Sequence, residues 1–302
     1  MRRDTKEVAV GRNDGLPGLG EEGDRHVGKK MKIVSLLMQN FYHLLTVPIE
    51  ASCQTQAWVS DPHLSMFDNG KDEYKLAVSR FKRLTQYLSF WELYKLHKAA
   101  SNPTYYARNT NHYLSISESV DALTQLLQHQ CGENYAEFLS TLALVLERVG
   151  GKMNSIYIQG PANCGKTWFV DCLAAYYLNV GHVKNIVRGQ NFPFNDCPNR
   201  RILIWNEPNW CPSALDTIKM LTAGDPCPAA IKYEGDSVIS KTPLIFTSNA
   251  LLLNRSDSIW ASRVYFCRWH PAPFLAKYSK KPHPLAIYHI LSKYIVTTLE
   301  IV

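Results

Sequence analysis

Residues 155–167 read Ser-Ile-Tyr-Ile-Gln-Gly-Pro-Ala-Asn-Cys-Gly-Lys-Thr and predict a strand that runs into a glycine-rich loop. The first five residues form a short apolar run, which is typical of a strand buried on both faces. Residues 160–167 match the pattern G-x-x-x-x-G-K-[ST], and residues 168–178 predict a helix directly after them. Strand, loop and helix in this order indicate a loop that binds the phosphate groups of a nucleotide.

The residue types of this loop, called the P-loop below, fit that chemistry. Glycines let backbone N–H groups wrap the β-phosphate, a lysine reaches the β- and γ-phosphate oxygens, and a hydroxyl binds Mg²⁺. We therefore expect ATP and Mg²⁺ to bind here, with Gly165, Lys166 and Thr167 in these three roles. A glycine-lysine turn at the start of an ordinary helix is the alternative. The predicted nucleotide-binding residues are Gly160, Pro161, Ala162, Asn163, Cys164, Gly165, Lys166 and Thr167.

Two further apolar runs, at residues 201–205 and 243–248, predict more buried strands, and each is followed by polar residues. Glu207 follows the first run and Asn249 the second, so both are expected at the sheet edge where the P-loop lies. Glu207 would order the attacking water and bind Mg²⁺ together with Thr167, and Asn249 would hydrogen-bond the γ-phosphate or the water. Taken alone, a glutamate after a strand is usually a solvated loop residue, and an asparagine there is usually a turn residue.

The sequence before the P-loop predicts helices. Apolar residues recur at helical spacing over residues 74–98, which predicts one or two amphipathic helices. A second helical block begins at Ser115, where the side chains of Ser115 and Glu118 can form a capping box. Its buried stripe is predicted to contain Val120, Leu123 and Leu127. The expected organisation is a flexible tail over 1–30, a partly helical region over 31–73, a helical subdomain over 74–150, an α/β domain with a parallel sheet over 151–275 and a helical segment over 276–302.

Composition and charge are those of a globular protein without a membrane segment. Hydrophobic residues make up 46% of the 302 residues, which is enough for a substantial core. The 33 Lys and Arg exceed the 26 Asp and Glu, giving a net charge of +7; this suits a polyanion but also occurs in proteins that never meet nucleic acid. The apolar segment 33–49 is interrupted by polar residues and short for a membrane span, so it predicts a core helix. The eight cysteines include no C-x-x-C pair, which argues against structural zinc.

Four stretches resemble the helicase region of parvovirus nonstructural replication proteins. They are GPANCGKT at 160–167, NFPFNDC at 191–197, LIWNEPN at 203–209 and TPLIFTSN at 242–249. The most specific of them is NFPFNDC, and the resemblance covers residues 115–295. It implies an AAA+-like ATPase domain and a DNA helicase of superfamily 3.

Such a motor assembles as a homo-oligomeric ring, usually a hexamer, and translocates 3′→5′ on single-stranded or forked DNA. The activity implied by the resemblance is therefore ATP-dependent unwinding during viral genome replication, in the host nucleus and without membrane contact. The helical subdomain would serve oligomerisation.

The resemblance also implies roles for two basic residues outside the P-loop. Arg263 would reach from one subunit to the γ-phosphate bound by the next, where an arginine stabilises transition-state charge; a surface salt bridge is the alternative. Lys232 would lie at the tip of a hairpin that grips the DNA backbone without reading sequence. Its acidic neighbours Glu234 and Asp236 lower the local charge.

The chain departs from the family pattern in two respects. Where the family commonly has two adjacent acids after the strand, this sequence has Asn206 and Glu207, so Glu207 carries the role alone. Full-length members also have a nicking nuclease with a His-hydrophobic-His motif, and because no H-x-H occurs here we expect that nuclease to be absent. Tyr94 and Lys98 have the spacing of its nucleophile helix, but without the histidine pair they predict the face of a core helix.

Two other functions remain open from the sequence. A small-molecule P-loop kinase would need an acceptor site and an arginine-rich lid, whereas this chain has a hairpin-like insertion after Glu207. A non-catalytic, virus-derived module that co-assembles with helicase subunits would keep the fold without turnover. DNA-stimulated ATP hydrolysis separates the helicase from both.

Overall fold

The computed structural model describes residues 21–106, 110–232 and 235–301 of the chain. Its α-helices are α1 (Glu21–Leu44), α2 (Gln56–Ser60), α3 (Asp72–Thr85), α4 (Phe90–Ala99), α5 (Ile116–Cys131), α6 (Tyr135–Leu146), α7 (Lys166–Tyr177), α8 (Leu215–Ala223), α9 (Ser258–Ala261) and α10 (Ala286–Ile301). Its strands are β1 (Thr46–Val47), β2 (Thr104–Tyr105), β3 (Ser155–Gln159), β4 (Val180–His182), β5 (Ile202–Asn206), β6 (Cys227–Ala229), β7 (Ser237–Ile239), β8 (Leu244–Ser248) and β9 (Val264–Arg268). None of these helices has the length and apolar character needed to cross a membrane.

Five strands form a parallel sheet in the order β4-β5-β8-β3-β9. Strand β3 lies between β8 and β9, with Gln159 beside Ser248 at its carboxyl end. Strand β5 pairs with the other side of β8, so that Asn206 lies beside Thr247. The carboxyl ends of β3, β5 and β8 therefore meet at one edge of the sheet, where ligands of open α/β sheets usually bind.

Both faces of the sheet are buried, which explains why its strands read as continuous apolar runs. Ile156 and Ile245 face a core that includes residues of α1, α3, α5, α6, α7 and α10. Their neighbours Tyr157 and Phe246 belong to a second core on the other face, together with Trp205 and residues of α8. The predicted fold, a parallel α/β sheet flanked by helices and preceded by helices, is confirmed.

Two of the helices before the sheet, α4 and α5, begin at a serine that forms a capping box. The region predicted over residues 74–98 is divided into α3 and α4. Helix α5 starts with the predicted capping box: Ser115 Oγ accepts the Glu118 N–H at 3.2 Å, and the Glu118 carboxylate accepts the Ser115 N–H at 3.0 Å. Helix α10 packs against α5 and α6. Helices α5 and α6, which precede β3 in the sequence, and the last helix, α10, therefore share one layer against the sheet.

The expected flexible tail over residues 1–30 needs a correction. Residues 1–20 lie outside the described part of the chain, but residues 21–30 form the first turns of α1. This segment contains charged residues such as Glu and Lys that have good helix propensity. It continues a helix that the core holds farther along through Val34, Leu37 and Phe41. The prediction from the Gly-rich, charged composition therefore wrongly included residues 21–30 in the tail.

Two predicted helical regions also contain other structure. In the 74–150 region, β2 pairs in parallel with β1, and the Tyr105 hydroxyl lies 2.7 Å from Nδ1 of buried His97. That contact holds an extended segment between α4 and α5. In the 276–302 region, α10 begins only at Ala286, since Pro282 and Pro284 disfavour helical backbone before it.

Candidate nucleotide-binding site

A cavity of about 1050 Å³ opens at the carboxyl edge of the sheet. The P-loop forms one wall, the residues after β5 and β8 form the second, and the segment after β9 forms the third. The lining residues are Ala162, Asn163, Cys164, Gly165, Lys166, Thr167, Trp168, Asn206, Glu207, Asn249, Pro271, Ala272, Pro273, Leu275 and Ala276. Three predicted site elements that lie far apart in the sequence are thus brought together around one space.

The P-loop has the backbone conformation that its glycines predict. Gly165 has φ +90° and Asn163 has φ +60°, a left-handed region in which glycine and asparagine are the favoured residues. A Cβ atom on Gly160 would lie 2.6 Å from the carbonyl oxygen of Trp269. Only glycine fits there, because the chain after β9 crosses directly over the start of the loop.

The Lys166 side chain is buried and fully engaged within the site. Its Nζ donates hydrogen bonds to Gly160 O at 2.6 Å, to Pro161 O at 3.0 Å and to Asn249 Oδ1 at 3.0 Å. A buried ammonium requires such partners. Lys166 and Asn249, assigned separately from the sequence, are therefore in direct contact.

Glu207 is the one carboxylate among the described residues that line the cavity. It accepts hydrogen bonds from the Asn249 N–H at 3.1 Å and from the Ser248 hydroxyl at 3.3 Å. Its backbone has φ +46°, which costs free energy for a non-glycine residue and is found mainly at functional sites. The neighbouring residue Asn206 accepts a hydrogen bond from Thr247 Oγ1 at 2.7 Å. Glu207 therefore presents a carboxylate to the cavity, whereas the amide oxygen of Asn206 is bound to the adjacent strand.

Thr167 lies exposed on the cavity wall at the start of α7. Its hydroxyl and the Glu207 carboxylate are oxygen donors, the ligand type that Mg²⁺ prefers. Within the described residues no three His, Cys, Asp or Glu side chains come together to hold a metal.

Arg263 lies away from this cavity. It directly precedes β9, whose first residue, Val264, pairs with Ser155 at the start of β3. The P-loop follows the other end of β3, so Arg263 lies at the opposite edge of the sheet. Its Nη1 donates to Ile259 O at 2.5 Å, while its buried Nε has no hydrogen-bond partner in the described part of the chain. Arg263 therefore does not reach the P-loop of its own chain, and its assignment stays a prediction.

Lys232 also lies outside the cavity, in the turn of an antiparallel hairpin. Strands β6 and β7 form that hairpin, with Pro228 paired to Val238. The Lys232 side chain is exposed, and its backbone N–H donates to Asn195 Oδ1 at 2.9 Å. The hairpin implied by the resemblance is present, whereas the role of Lys232 stays a prediction.

Gln130 is a site residue that sequence reasoning missed. It is buried at the end of α5, and its Nε2 donates to Cys164 O at 2.9 Å and to His270 O at 2.7 Å. Its Oε1 accepts the His270 N–H at 2.7 Å. One side chain therefore ties α5 to both the P-loop and the third wall of the cavity. Its spacing could have indicated that it is buried. Gln130 falls three residues after Leu127, at a position of the apolar stripe where a polar residue is unexpected.

The third wall is the other missed feature, and it is largely apolar. Residues 271–276 contribute proline, alanine and leucine side chains to it. Trp168 extends this wall and stacks on Tyr278 with ring centroids 5.6 Å apart. Helix α5 supports the wall from behind, since His129 Nε2 lies 3.0 Å from Pro271 O. The cavity thus has a polar side at the sheet edge and an apolar side at residues 271–276.

Comparisons with known proteins agree with this architecture. A family model described as Parvovirus non-structural protein NS1 matches residues 83–254, which is more than half of the chain. The initiator protein NS1 of Junonia coenia densovirus (isolate pBRJ/1990) is 30% identical over 283 residues, covering 90% of this chain and 51% of that protein. The initiator protein NS1 of Diatraea saccharalis densovirus is 31% identical over 272 residues, covering 86% and 49%. The chain spans about half the length of these relatives.

The fold has a counterpart among solved structures. The X-ray structure of JCV helicase superposes with a TM-score of 0.50 and 13% sequence identity, covering 89% of this chain and 88% of that one. At this identity the likeness concerns the fold alone. The family follows from the sequence match across both the helical region and the sheet: the chain belongs to the parvovirus non-structural protein NS1 family.

Proposed function

We propose that this chain hydrolyses ATP and uses the energy to move along and unwind DNA during viral-type genome replication in the host nucleus. The observation that supports this proposal most strongly is that one cavity beside the P-loop is lined by Lys166, Thr167, Glu207 and Asn249. The name of the relatives, initiator protein, and the helicase fold neighbour support the same proposal. Superfamily 3 membership and 3′→5′ movement belong to the proposal as well.

The chemistry assigned to the cavity is positioning and electrostatic stabilisation, which carry most of the catalysis in phosphoryl transfer. P-loop N–H groups and the Lys166 ammonium bind the β- and γ-phosphates and neutralise charge that builds up on the leaving group. The Glu207 carboxylate orients the attacking water. Asn249 accepts from Lys166 through Oδ1, so its Nδ2 is the atom that donates to a γ-phosphate oxygen in this scheme.

Thr167 and Glu207 are the residues that would hold Mg²⁺, the hydroxyl directly and the carboxylate directly or through water. When bound, the metal neutralises charge on the β- and γ-phosphates. The apolar wall at residues 271–276 has the character of a surface that receives a nucleobase, since ligand cavities combine apolar walls with a few polar groups that fix orientation. The polar and apolar sides of the cavity thus match the two ends of ATP.

The experiment that tests the proposal is ATP turnover by the purified chain with and without single-stranded DNA. We expect Mg²⁺-dependent hydrolysis that DNA accelerates. Phosphate transfer to a small acceptor, with no response to DNA, would indicate the kinase alternative. ATP binding without turnover, together with assembly into rings of a related helicase, would indicate the non-catalytic module.

The proposal includes a ring of subunits, a hexamer, with the helices of residues 74–150 in its contacts. Arg263 lies at the sheet edge opposite its own P-loop, so the catalytic role proposed for it requires the P-loop of a neighbouring subunit. We expect Arg263→Ala subunits and Lys166→Ala subunits to be inactive separately and to regain activity when mixed. About a quarter of the interfaces in randomly mixed rings would then pair an intact P-loop with an intact arginine.

This prediction is checked by ATP turnover of the equimolar mixture after mixed assembly has been verified by light scattering. Arg268 offers the matched comparison, because it is the exposed arginine at the P-loop end of the same strand. If Arg268→Ala abolishes turnover while Arg263→Ala does not, the wrong arginine has been assigned. No recovery in verified mixed rings would contradict action across the interface.

Gln130 is expected to affect ATP affinity more than the chemical step. In Gln130→Leu, Cys164 O and both backbone groups of His270 lose their partner, so the P-loop and the apolar wall are no longer held together. We expect KM for ATP to rise roughly ten-fold, equivalent to about 1.4 kcal/mol of binding free energy, with a smaller change in kcat. Gln128→Leu, at an exposed position of the same helix, is the control. An unchanged KM in Gln130→Leu would remove Gln130 from the site.

A further inference from the structure

The proposed function leaves one specific part of the sequence without a role, namely the NFPFNDC stretch at residues 191–197. In the structure this stretch borders a second cavity, of about 360 Å³, on the side of the chain where the hairpin lies. Its other walls are α3 and the turn of the β6–β7 hairpin. We call this cavity the α3–hairpin groove.

The NFPFNDC stretch is a rigid support for the hairpin. Phe194 and Cys197 are buried in the core beneath it. Asp196 accepts hydrogen bonds from the His182 N–H at 3.0 Å and from the guanidinium of Arg200. Between these anchors, Asn195 Oδ1 accepts the Lys232 N–H. The stretch therefore fixes the position of the hairpin turn, and with it the position of Lys232.

Helix α3 forms the opposite wall and is joined to the same support. Gln86 Nε2 donates to Ser240 Oγ at 3.3 Å, which fastens the helix end to the end of the hairpin. Lys82 forms an ion pair with Glu50, and buried Arg200 binds the same carboxylate at 2.9 Å. Burial alone would raise the pKa of Glu50, but Arg200 and Lys82 lower it to about 2. The Glu50 carboxylate is thus ionised throughout the physiological range and holds the two walls together.

The groove combines positive charge with neutral hydrogen-bond donors. Lys75, Lys82 and Lys232 line it, and Glu50 is the one acidic side chain among the described lining residues. Lys75 is largely exposed and forms an ion pair at 3.7 Å with Asp72, whose side chain is more exposed still. Amide and hydroxyl side chains, Asn195 and Ser79 among them, complete the lining. Lysine, asparagine and serine are the side chains that typically contact the phosphates of nucleic acids.

The spacing of the lysines indicates an extended ligand. Lys75 and Lys82 are seven residues apart on the same side of α3, about 10 Å along the helix axis, and Lys232 stands on the opposite wall. Lysines spread in this way over two walls match successive phosphates of a strand better than a single phosphate group.

We propose that the α3–hairpin groove binds the sugar-phosphate backbone of a single nucleic-acid strand, with Lys75 and Lys82 adding contacts to the one assigned to Lys232. The proposal rests on the DNA-binding function proposed above and extends the contact surface from the hairpin to α3. Because lysine contacts to phosphate carry no base information, binding in the groove is independent of sequence.

The test uses Lys75→Ala, because this exposed side chain is outside the Glu50–Arg200 network and its removal leaves the core unchanged. Binding of a fluorescently labelled single-stranded oligonucleotide is measured by anisotropy across a salt series. We expect the slope of log K against log salt to fall in magnitude by about 0.7 for each lost contact. If the variant and the unmodified chain bind equally at 1 M salt, this change in slope makes the variant's affinity about four-fold weaker at 0.15 M salt. The loss is expected to be equal for poly-dT and poly-dA.

Arg83→Ala is the matched control, since Arg83 is an exposed cation of α3 that does not line the groove. Lys75→Arg should retain binding, and thermal unfolding verifies that each variant is folded. If Lys75→Ala behaves like Arg83→Ala while Lys232→Ala still weakens binding, the groove proposal is overturned and the proposed function stands. If the unmodified chain binds no DNA, both are overturned.

Discussion

Lys166→Ala is expected to reduce ATP turnover at least a hundred-fold, roughly the loss that follows removal of one preorganised contact to developing charge. The Lys166 ammonium is the cation that the P-loop presents to the β- and γ-phosphates in the proposed mechanism. No other lysine or arginine is among the described residues that line the cavity. Alanine leaves the charge on the leaving group without a cation from its own chain, so the barrier rises while the metal and the loop amides remain.

The fold is expected to persist in this variant. The side chain donates to Gly160 O and Pro161 O but belongs to neither apolar core, and its bond to Pro161 O is only partly buried, so water can replace the ammonium there. Steady-state ATP turnover and thermal unfolding are measured together, with Lys152→Ala as the control, because Lys152 is exposed before β3 and far from the cavity. Turnover at the rate of the unmodified chain in folded Lys166→Ala would overturn the assignment of the P-loop.

The parts of the fold that sequence reasoning predicted depend on local signals. The run before the P-loop predicted β3 with both of its ends, since the three apolar residues 156–158 between Ser155 and Gln159, directly before the P-loop, have few alternatives. The predicted runs at 201–205 and 243–248 differ from β5 and β8 by one residue at most. The capping box at Ser115 was likewise predicted, because its donor and acceptor are three residues apart and the geometry follows from spacing alone.

The parts that were missed depend on contacts between distant segments. Gln130 and His270 are 140 residues apart, and no local pattern indicates that they meet. The same reason applies to the apolar wall at residues 271–276, which becomes part of the cavity only because the chain after β9 crosses over the P-loop. The resemblance singled out NFPFNDC but could not say what it does, since its contacts with Arg200 and Lys232 are visible only in three dimensions.

The second large effect on ATP turnover is expected from substitution of Glu207, the carboxylate of the cavity. Glu207→Gln is expected to reduce the hydrolysis rate by roughly 10²–10³, a loss comparable with removing one electrostatic group from an active site, while ATP still binds. Glutamine has the same length and the same backbone requirements at φ +46°, and its carbonyl oxygen can still accept the Asn249 N–H. What disappears is the negative charge that polarises the attacking water.

Asp196→Asn is the comparison that decides which carboxylate is catalytic. Asp196 does not line the cavity, and its carboxylate is paired with buried Arg200. The Asp196 side chain is 35% exposed and Arg200 keeps Glu50 as a second partner, so Asp196→Asn should unfold at a modestly lower temperature yet turn over normally while folded. Glu207→Gln should show the reverse, normal unfolding with ATP bound and unhydrolysed, measured by equilibrium binding and single-turnover phosphate release. If Asp196→Asn stops turnover in the folded protein and Glu207→Gln does not, the catalytic carboxylate is not the one that the cavity presents.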